Sequence, residues 1–530
     1  MLKEIERRAA ICYLTLVIAL FIVVLRVVTV ALGTENSVAA NGTALKRIAL
    51  SRQRGSFFDC NMKPITNNKV KYVSLVTDLS SAAQTLQLYF NDEETADILS
   101  RLKLEKLPVI YSDMDISGKG VVSYPYYENG NTSANHLIGY LNGEGHGVSG
   151  LSYNFDSILY SDKVREISFG IDGTGRLITG EKISYTADPS VEQSGIMLTL
   201  DRDIQEAVMR AAKSLTRGAA VVCELKTGEI KAMVSRPDFD VFNLGEALEN
   251  SEKPLLNRAF LTFNVGSAFK PVVAAAAIEK GFSGYLCNCN GYAEIDGLRF
   301  RCHRLTGHGW LDMAGAVKFS CNAYFYRLAT EVGANPVYKM ALRAGFNNAV
   351  SFGKGITTER GEIGNLERLS VSDRALANLA IGQGELMVSP VGMLNLYAAI
   401  AGDGSYIPPS LIKGEVKDLK LLEEEPQNER VSLMSERTAE TIKKQLKGVL
   451  DENATGYIAR PKTVTAAGKT ATAETGIIED GKRVVNTWFC GFFPFEEPQY
   501  IAVVLAENTE TACGDVFAAI ADEITALKKP

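Results

Sequence analysis

The order of the apolar segments constrains the fold more than any other feature. From residue 218 the chain reads "GAAVVCELKTGEIKAMVSRPDFD", two apolar strands joined by the turn "KTGE". A long helical stretch follows from about 264 to 400, and strands return at "TVTAAGKTATAE", "NTWFCGFFPF" and "YIAVVLAEN". "DVFAAIADEITALKK" then closes the chain as a helix. Strands, helices and strands again predict an α+β domain over 196–530, its antiparallel sheet assembled from both ends of the domain and flanked by helices. "IMLTLDRDIQEAVMRAAKSL" opens this domain as a strand and an amphipathic helix, with Asp201 as the N-cap. Residues 34–195 have another texture. Short β-rich runs such as "VKYVSLVTDL" and "VVSYPYY" alternate with the polar helical segment "NDEETADILSRLKLEKL". They predict a separate mixed α+β domain with no catalytic cluster.

The N-terminus adds a membrane element. Lys3, Arg7 and Arg8 precede an apolar run from Ala9 to Gly33 that only Arg26 interrupts. A helix over 9–33 would extend about 37 Å at 1.5 Å per residue, enough for a hydrocarbon core of about 30 Å. Basic residues before the run favour a cytoplasmic tail over 1–8 and an extracytoplasmic remainder, hence a single-pass membrane protein. A cleaved signal peptide is the alternative, with "SVAANG" as a small-residue site. At 530 residues, two or three domains are expected, and a net charge of −6 gives no argument for nucleic-acid binding.

Three fragments carry chemistry. In "NVGSAFKP", Ser267 and Lys270 lie three apart at a helix start, where Gly266 turns the backbone and Pro271 is tolerated only in the first turn. A serine hydroxyl is a weak nucleophile and needs a base, and Lys270 lies on its face of the helix. Alone, this pattern is far more often a surface pair on a helix. "KFSCNAYFY" then places Ser320 and Asn322 about fifty residues later, at another helix start. "AAGKTATAETG" places Lys469, Thr470, Ala471 and Thr472 on a late strand. A nucleophile with its base, a hydroxyl with an amide, and a cationic strand for a carboxylate are the parts of a serine acyl-transfer site. Their order marks penicillin-binding proteins and serine β-lactamases.

With these residues the chain resembles a class B penicillin-binding protein, a monofunctional peptidoglycan D,D-transpeptidase. "RGSFFDCN" at 54–61 resembles the family's R-G-x-(I/L)-x-D-R-N segment, with Cys60 in place of an arginine. "GVSGLSYNFDSIL" resembles G-x-S-G-(L/I)-E, with Ser152 in place of the glutamate. The resemblance implies a pedestal domain over 34–195 and a penicillin-binding, serine β-lactamase-like transpeptidase domain over 196–530. It implies that Ser267 attacks the penultimate D-alanine carbonyl of a stem peptide and that Lys270 takes the proton. Ser320 relays the proton to the leaving D-alanine, and Asn322 binds the peptide amide. Lys469 and Thr470 hold the terminal carboxylate beside Ala471. The backbone N–H groups of Ser267 and Thr472 form the oxyanion hole. β-Lactams would acylate the same serine, and a separate glycosyltransferase would be the partner. No E-D-x-x-F-x-x-H-x-G motif of the bifunctional proteins occurs before the catalytic domain. The non-enzymatic alternative is a membrane-anchored scaffold of the wall-synthesis machinery.

Two departures from the family pattern set further expectations. Ala471 stands where K-T-G has glycine, so its methyl is expected to crowd the substrate and weaken β-lactam acylation. Val265 replaces a proline. Cys287, Cys289, Cys302 and Cys321 also fall within 35 residues, beside His303 and His308. They fit a disulfide of Cys287 or Cys289 with Cys302, free thiols, or a structural zinc with either histidine as an alternate ligand. The chemistry itself requires no cofactor.

Overall fold

The computed structural model describes residues 13–25 and 44–528, apart from 129, 179, 480 and 510. Within the N-terminal apolar run, 13–25 form a helix with every side chain exposed. No helix among the described residues is long and apolar enough to cross a membrane. The expected tail at 1–8, and residues 9–12 and 26–33 of the expected span, lie outside the described residues.

The described chain forms two compact units. The smaller comprises 44–53, 67–128 and 161–189. One three-stranded sheet pairs Val109–Ser112 and Val121–Tyr127 with Val70–Val76 between them, and another joins Ala44–Arg52, Val164–Ile171 and Ser184–Thr186. The polar segment forms the expected helix, Asp92–Glu105. Its Asn91 side chain accepts from the Glu94 N–H, and the Glu94 carboxylate accepts from the Asn91 N–H.

The larger unit comprises 54–66, 130–160 and 190–530. Two segments from the region expected to form the pedestal are thus counted with the catalytic residues. Arg54 explains how they hold together: its guanidinium pairs with Asp156 at 2.8 Å and donates to the Gly145 and Ser152 carbonyls. Ser152 contributes its backbone oxygen, and the carboxylate comes from Asp156.

The sheet expected from the segment order is present, with five antiparallel strands. Its order is Ile230–Arg236, Gly218–Glu224, Tyr500–Ala506, Lys482–Phe493 and Ala467–Glu479. Both early strands lie at one side, and the late Lys469 strand forms the opposite edge. Tyr500–Ala506 is buried along its whole length, consistent with its unbroken apolar sequence in the middle of the sheet. Two helices behind the site are buried nearly all round. They are the alanine-rich Lys270–Glu279 and Pro390–Ala401.

Candidate active site

Ser267 sits in a 3₁₀ turn, Gly266–Phe269, that runs directly into the helix Lys270–Glu279 with Pro271 in its first turn. Residues three apart eclipse in a 3₁₀ turn, so Ser267 and Lys270 share one face. Gly266 has φ +55, and a Cβ there would lie 2.8 Å from the Thr472 carbonyl. Only glycine lets the serine turn press against the edge strand in this way. From the other side the Gly266 N–H donates to the Gly382 carbonyl at 2.9 Å. The serine is partly buried, and its turn is wedged between strand and loop.

Lys270 is wholly buried. Its ammonium donates to the Ser320 carbonyl at 2.7 Å, the Ser320 Oγ at 3.1 Å and the Asn322 Oδ1 at 2.7 Å. Three protons find three oxygens, and Phe325 presents its ring face 5.4 Å away. Burial pulls the lysine down to about 7, against the opposing pull of Cys321 and Cys302. A lysine so poised is half neutral near neutral pH, the state a proton acceptor needs.

Ser320 and Asn322 are presented by the turn between the helices Met313–Lys318 and Asn322–Val332. Ser320 takes φ +52, a left-handed conformation costly for a residue with a side chain, of order 1–3 kcal/mol. Such strain persists where the surroundings over-determine it.

On the edge strand, Lys469, Ala471 and Ala473 are buried on one face, while Thr472 is exposed and Thr470 partly so on the other. Lys469 donates to its neighbour's carbonyl, Thr470 O, at 2.9 Å. Burial holds its ammonium well below the usual lysine range, and the like charge of Lys270 adds to this. An incoming carboxylate would therefore favour its protonation. The Ala471 methyl, 6% exposed, belongs to the hydrophobic core. It lies on the same face of the strand as Lys469, opposite Thr470 and Thr472.

Some residues that hold this geometry escaped the sequence reading. Tyr397, in the buried helix Pro390–Ala401, donates its hydroxyl to the Ala268 carbonyl at 3.1 Å, behind Ser267. The Trp488 indole N–H donates to the Asn264 carbonyl at 2.9 Å. A phenol in a largely apolar helix was the available signal, because a buried hydroxyl needs a partner.

The cysteine cluster departs from the expected set. The ligand atoms of Cys289, Cys302, His308 and Cys321 all lie within 4.8 Å of one another. Cys287 is not among them: its sulfur accepts from Arg327 at 3.4 Å. It shares the short strand Cys287–Cys289 with Cys289, and two residues along a strand separate side chains by about 7 Å. His308 takes its place, while His303 is exposed. All eight described cysteines are free thiols, so the disulfide between Cys287 or Cys289 and Cys302 does not form.

Three fragments far apart in sequence thus meet around two buried lysines and one partly buried serine. A family model for the penicillin-binding protein transpeptidase domain matches residues 218–526, more than half of the chain. The chain belongs to this family. Stage V sporulation protein D of Bacillus subtilis is 28% identical to this family member over 70% of the chain and 58% of that protein. The peptidoglycan D,D-transpeptidase FtsI of Escherichia coli is 26% identical over 80% of the chain and 68% of that protein. The transpeptidase-family chain therefore spans less than two thirds of the sporulation protein's length. Penicillin-binding protein 3 of Mycobacterium tuberculosis, solved in complex with aztreonam, shares the fold. Its TM-score is 0.65 at 23% identity, covering 92% of this chain and 97% of that one.

Proposed function

We propose that this chain is a peptidoglycan D,D-transpeptidase that cross-links stem peptides through an ester on Ser267. The observation that carries the reading is the Lys270 ammonium held by Ser320 and Asn322, on a helix whose first turn presses against Thr472. In the acylation step the Ser267 Oγ attacks the penultimate D-alanine carbonyl as neutral Lys270 takes its proton. The oxyanion forms between the backbone N–H groups of Ser267 and Thr472, each donor of this kind being worth about 10²–10³ in rate. The C–N bond then breaks, and Lys270 returns the proton through the Ser320 Oγ to the departing D-alanine. An amine from a second strand attacks the ester and regenerates the Ser267 hydroxyl. Lys469, Thr470 and Thr472 receive the terminal carboxylate, and Asn322 the peptide amide. A β-lactam enters the same sequence, with its ring amide as the bond that opens. Acyl transfer of this type needs no cofactor, and a zinc in the cysteine cluster would be a support rather than a reagent.

The exposed apolar helix at 13–25, with the rest of the run over 9–33, supports a single-pass anchor and an extracytoplasmic catalytic unit in a bacterial membrane. A separate glycosyltransferase would supply the glycan strands. The test is cross-linking by the full chain from lipid-linked precursors polymerised by such an enzyme. Release of D-alanine and appearance of dimeric muropeptides are expected, and both should vanish in Ser267→Ala. Equal release by that variant would overturn the reading.

A further inference from the structure

We propose that Cys289, Cys302, His308 and Cys321 bind one zinc ion, and that this ion positions the turn carrying Ser320 and Asn322. The Cys302 sulfur lies 3.9 Å from the Cys321 sulfur and 3.7 Å from the His308 Nδ1. Around an ion with zinc–sulfur bonds of about 2.3 Å, the edges of a ligand tetrahedron measure about 3.8 Å. A disulfide would bring the sulfurs to about 2.0 Å, whereas the observed spacing matches the edge of a ligand tetrahedron. Three thiolates and an imidazole are a donor set that suits zinc. The three sulfurs belong to residues at most 2% exposed, and His308 closes the set half-buried at its rim.

The surrounding architecture calls for such a support. The segment between the catalytic motifs forms two separate hairpins, Cys287–Cys289 with Gly309–Leu311 and Tyr292–Ile295 with Leu298–Arg301. Two-stranded hairpins of three or four residues are marginal alone. The loop that brings His308 over Cys289 is tight: the His308 N–H donates to the Cys289 carbonyl at 2.9 Å, and a Cβ on Gly307 would lie 2.1 Å from that same oxygen. The ligands join this strand and loop to the start of the helix Asn322–Val332, whose N-cap is Cys321.

Cys321 gives the ion its consequence. It stands between the two residues whose oxygens hold the Lys270 ammonium, and next to the left-handed Ser320. A bond from Cys321 to a fixed ion supplies the constraint that the Ser320 backbone requires. The ligands are therefore positioning residues that act through Ser320 and Asn322. This positioning role rests on the transpeptidase reading, whereas the ion itself does not.

The test uses the full chain purified without chelator. Elemental analysis is expected to give one zinc per chain, and cobalt exchange to give the thiolate and tetrahedral absorption bands of such a site. Cys302→Ser and His308→Ala are expected to lose the metal, His308→Cys to recover it, and the control His303→Ala to keep it. Acylation by a fluorescent penicillin is expected to slow by about tenfold or more in the metal-free variants, mainly in the rate constant rather than in initial binding, and His308→Cys to restore it. A wild-type chain without zinc, whether its thiols are free or paired, overturns the site. Wild-type stoichiometry and the His308→Cys variant decide this even where Cys302→Ser fails to fold. Zinc that can be stripped with no change in acylation overturns the positioning role. A zinc-loaded chain whose Ser267 is never acylated overturns the transpeptidase reading and the positioning role together, leaving the ion in place.

Discussion

In the five-stranded sheet, strands of 7 to 13 residues are mostly buried apart from the outer half of Ala467–Glu479, and a continuous apolar core supports that side of the site. The hairpins beside Ser320 use strands of three and four residues, and Trp310 and Leu298 stand exposed on them. One wall of the site is thus carried by a core. The other is carried by a few backbone bonds and a cluster of ligand atoms. Lys270 spans the two, rooted in a buried helix and donating to the hairpin-side turn. Damage to the sheet wall should therefore appear as lost stability, and damage to the other wall as lost chemistry in a folded protein.

The largest expected effect lies where the walls meet. Lys270→Met should lower the acylation rate of Ser267 by about 10²–10⁴ with a modest change in melting temperature. The pH profile supplies the sign. Burial lowers the Lys270 ammonium to about 7, so the acceptor is neutral above that pH and charged below it. Acylation should fall about tenfold per pH unit on the acid side and level off above neutrality. Stopped-flow acylation across pH 5–9 checks this, and an acid limb unchanged in Lys270→Met would detach it from the lysine.

On the sheet wall, Trp488→Ala removes a fully buried indole and its bond to the Asn264 carbonyl. A destabilisation of about 3–5 kcal/mol is expected in denaturant titration. Tyr397→Phe should cost about 1–3 kcal/mol, because the Ala268 carbonyl is left buried without its donor. The smallest effect is expected at Ala471. Its methyl faces the core, so Ala471→Gly should cost about 0.5–1 kcal/mol of stability. It should change β-lactam acylation by less than about tenfold, a barrier difference under about 1.4 kcal/mol. A much larger gain in rate would restore the crowding explanation.

The two walls were also unequally legible in the sequence. Unbroken apolar runs such as "YIAVVLA" announced the central strands, because a strand buried on both faces carries no polar residue to interrupt it. Ser267, Lys270, Ser320, Asn322 and Lys469 were visible because each role proposed for them demands a particular side chain at a helix start or on a strand. The cysteine ligands were seen only as a group. Whether Cys287 or His308 joins the set depends on the side-chain placement in a three-residue strand and the path of the Gly307 loop, which composition does not encode. The packing of 54–66 and 130–160 with the catalytic unit was hidden for a similar reason. It depends on Ser56–Phe58 pairing with the strand Gly195–Leu198 and on the Gln205 amide donating to the Ser133 carbonyl, long-range contacts with no local periodicity to betray them.

The most direct test of the account is the covalent state of Ser267. After incubation of the purified chain with benzylpenicillin, intact mass and peptide mapping should show one penicilloyl group per chain, on the peptide carrying Ser267, and none in Ser267→Ala. An adduct at another residue, or none with several β-lactams at high concentration over long times, would contradict the claim that this serine is the nucleophile.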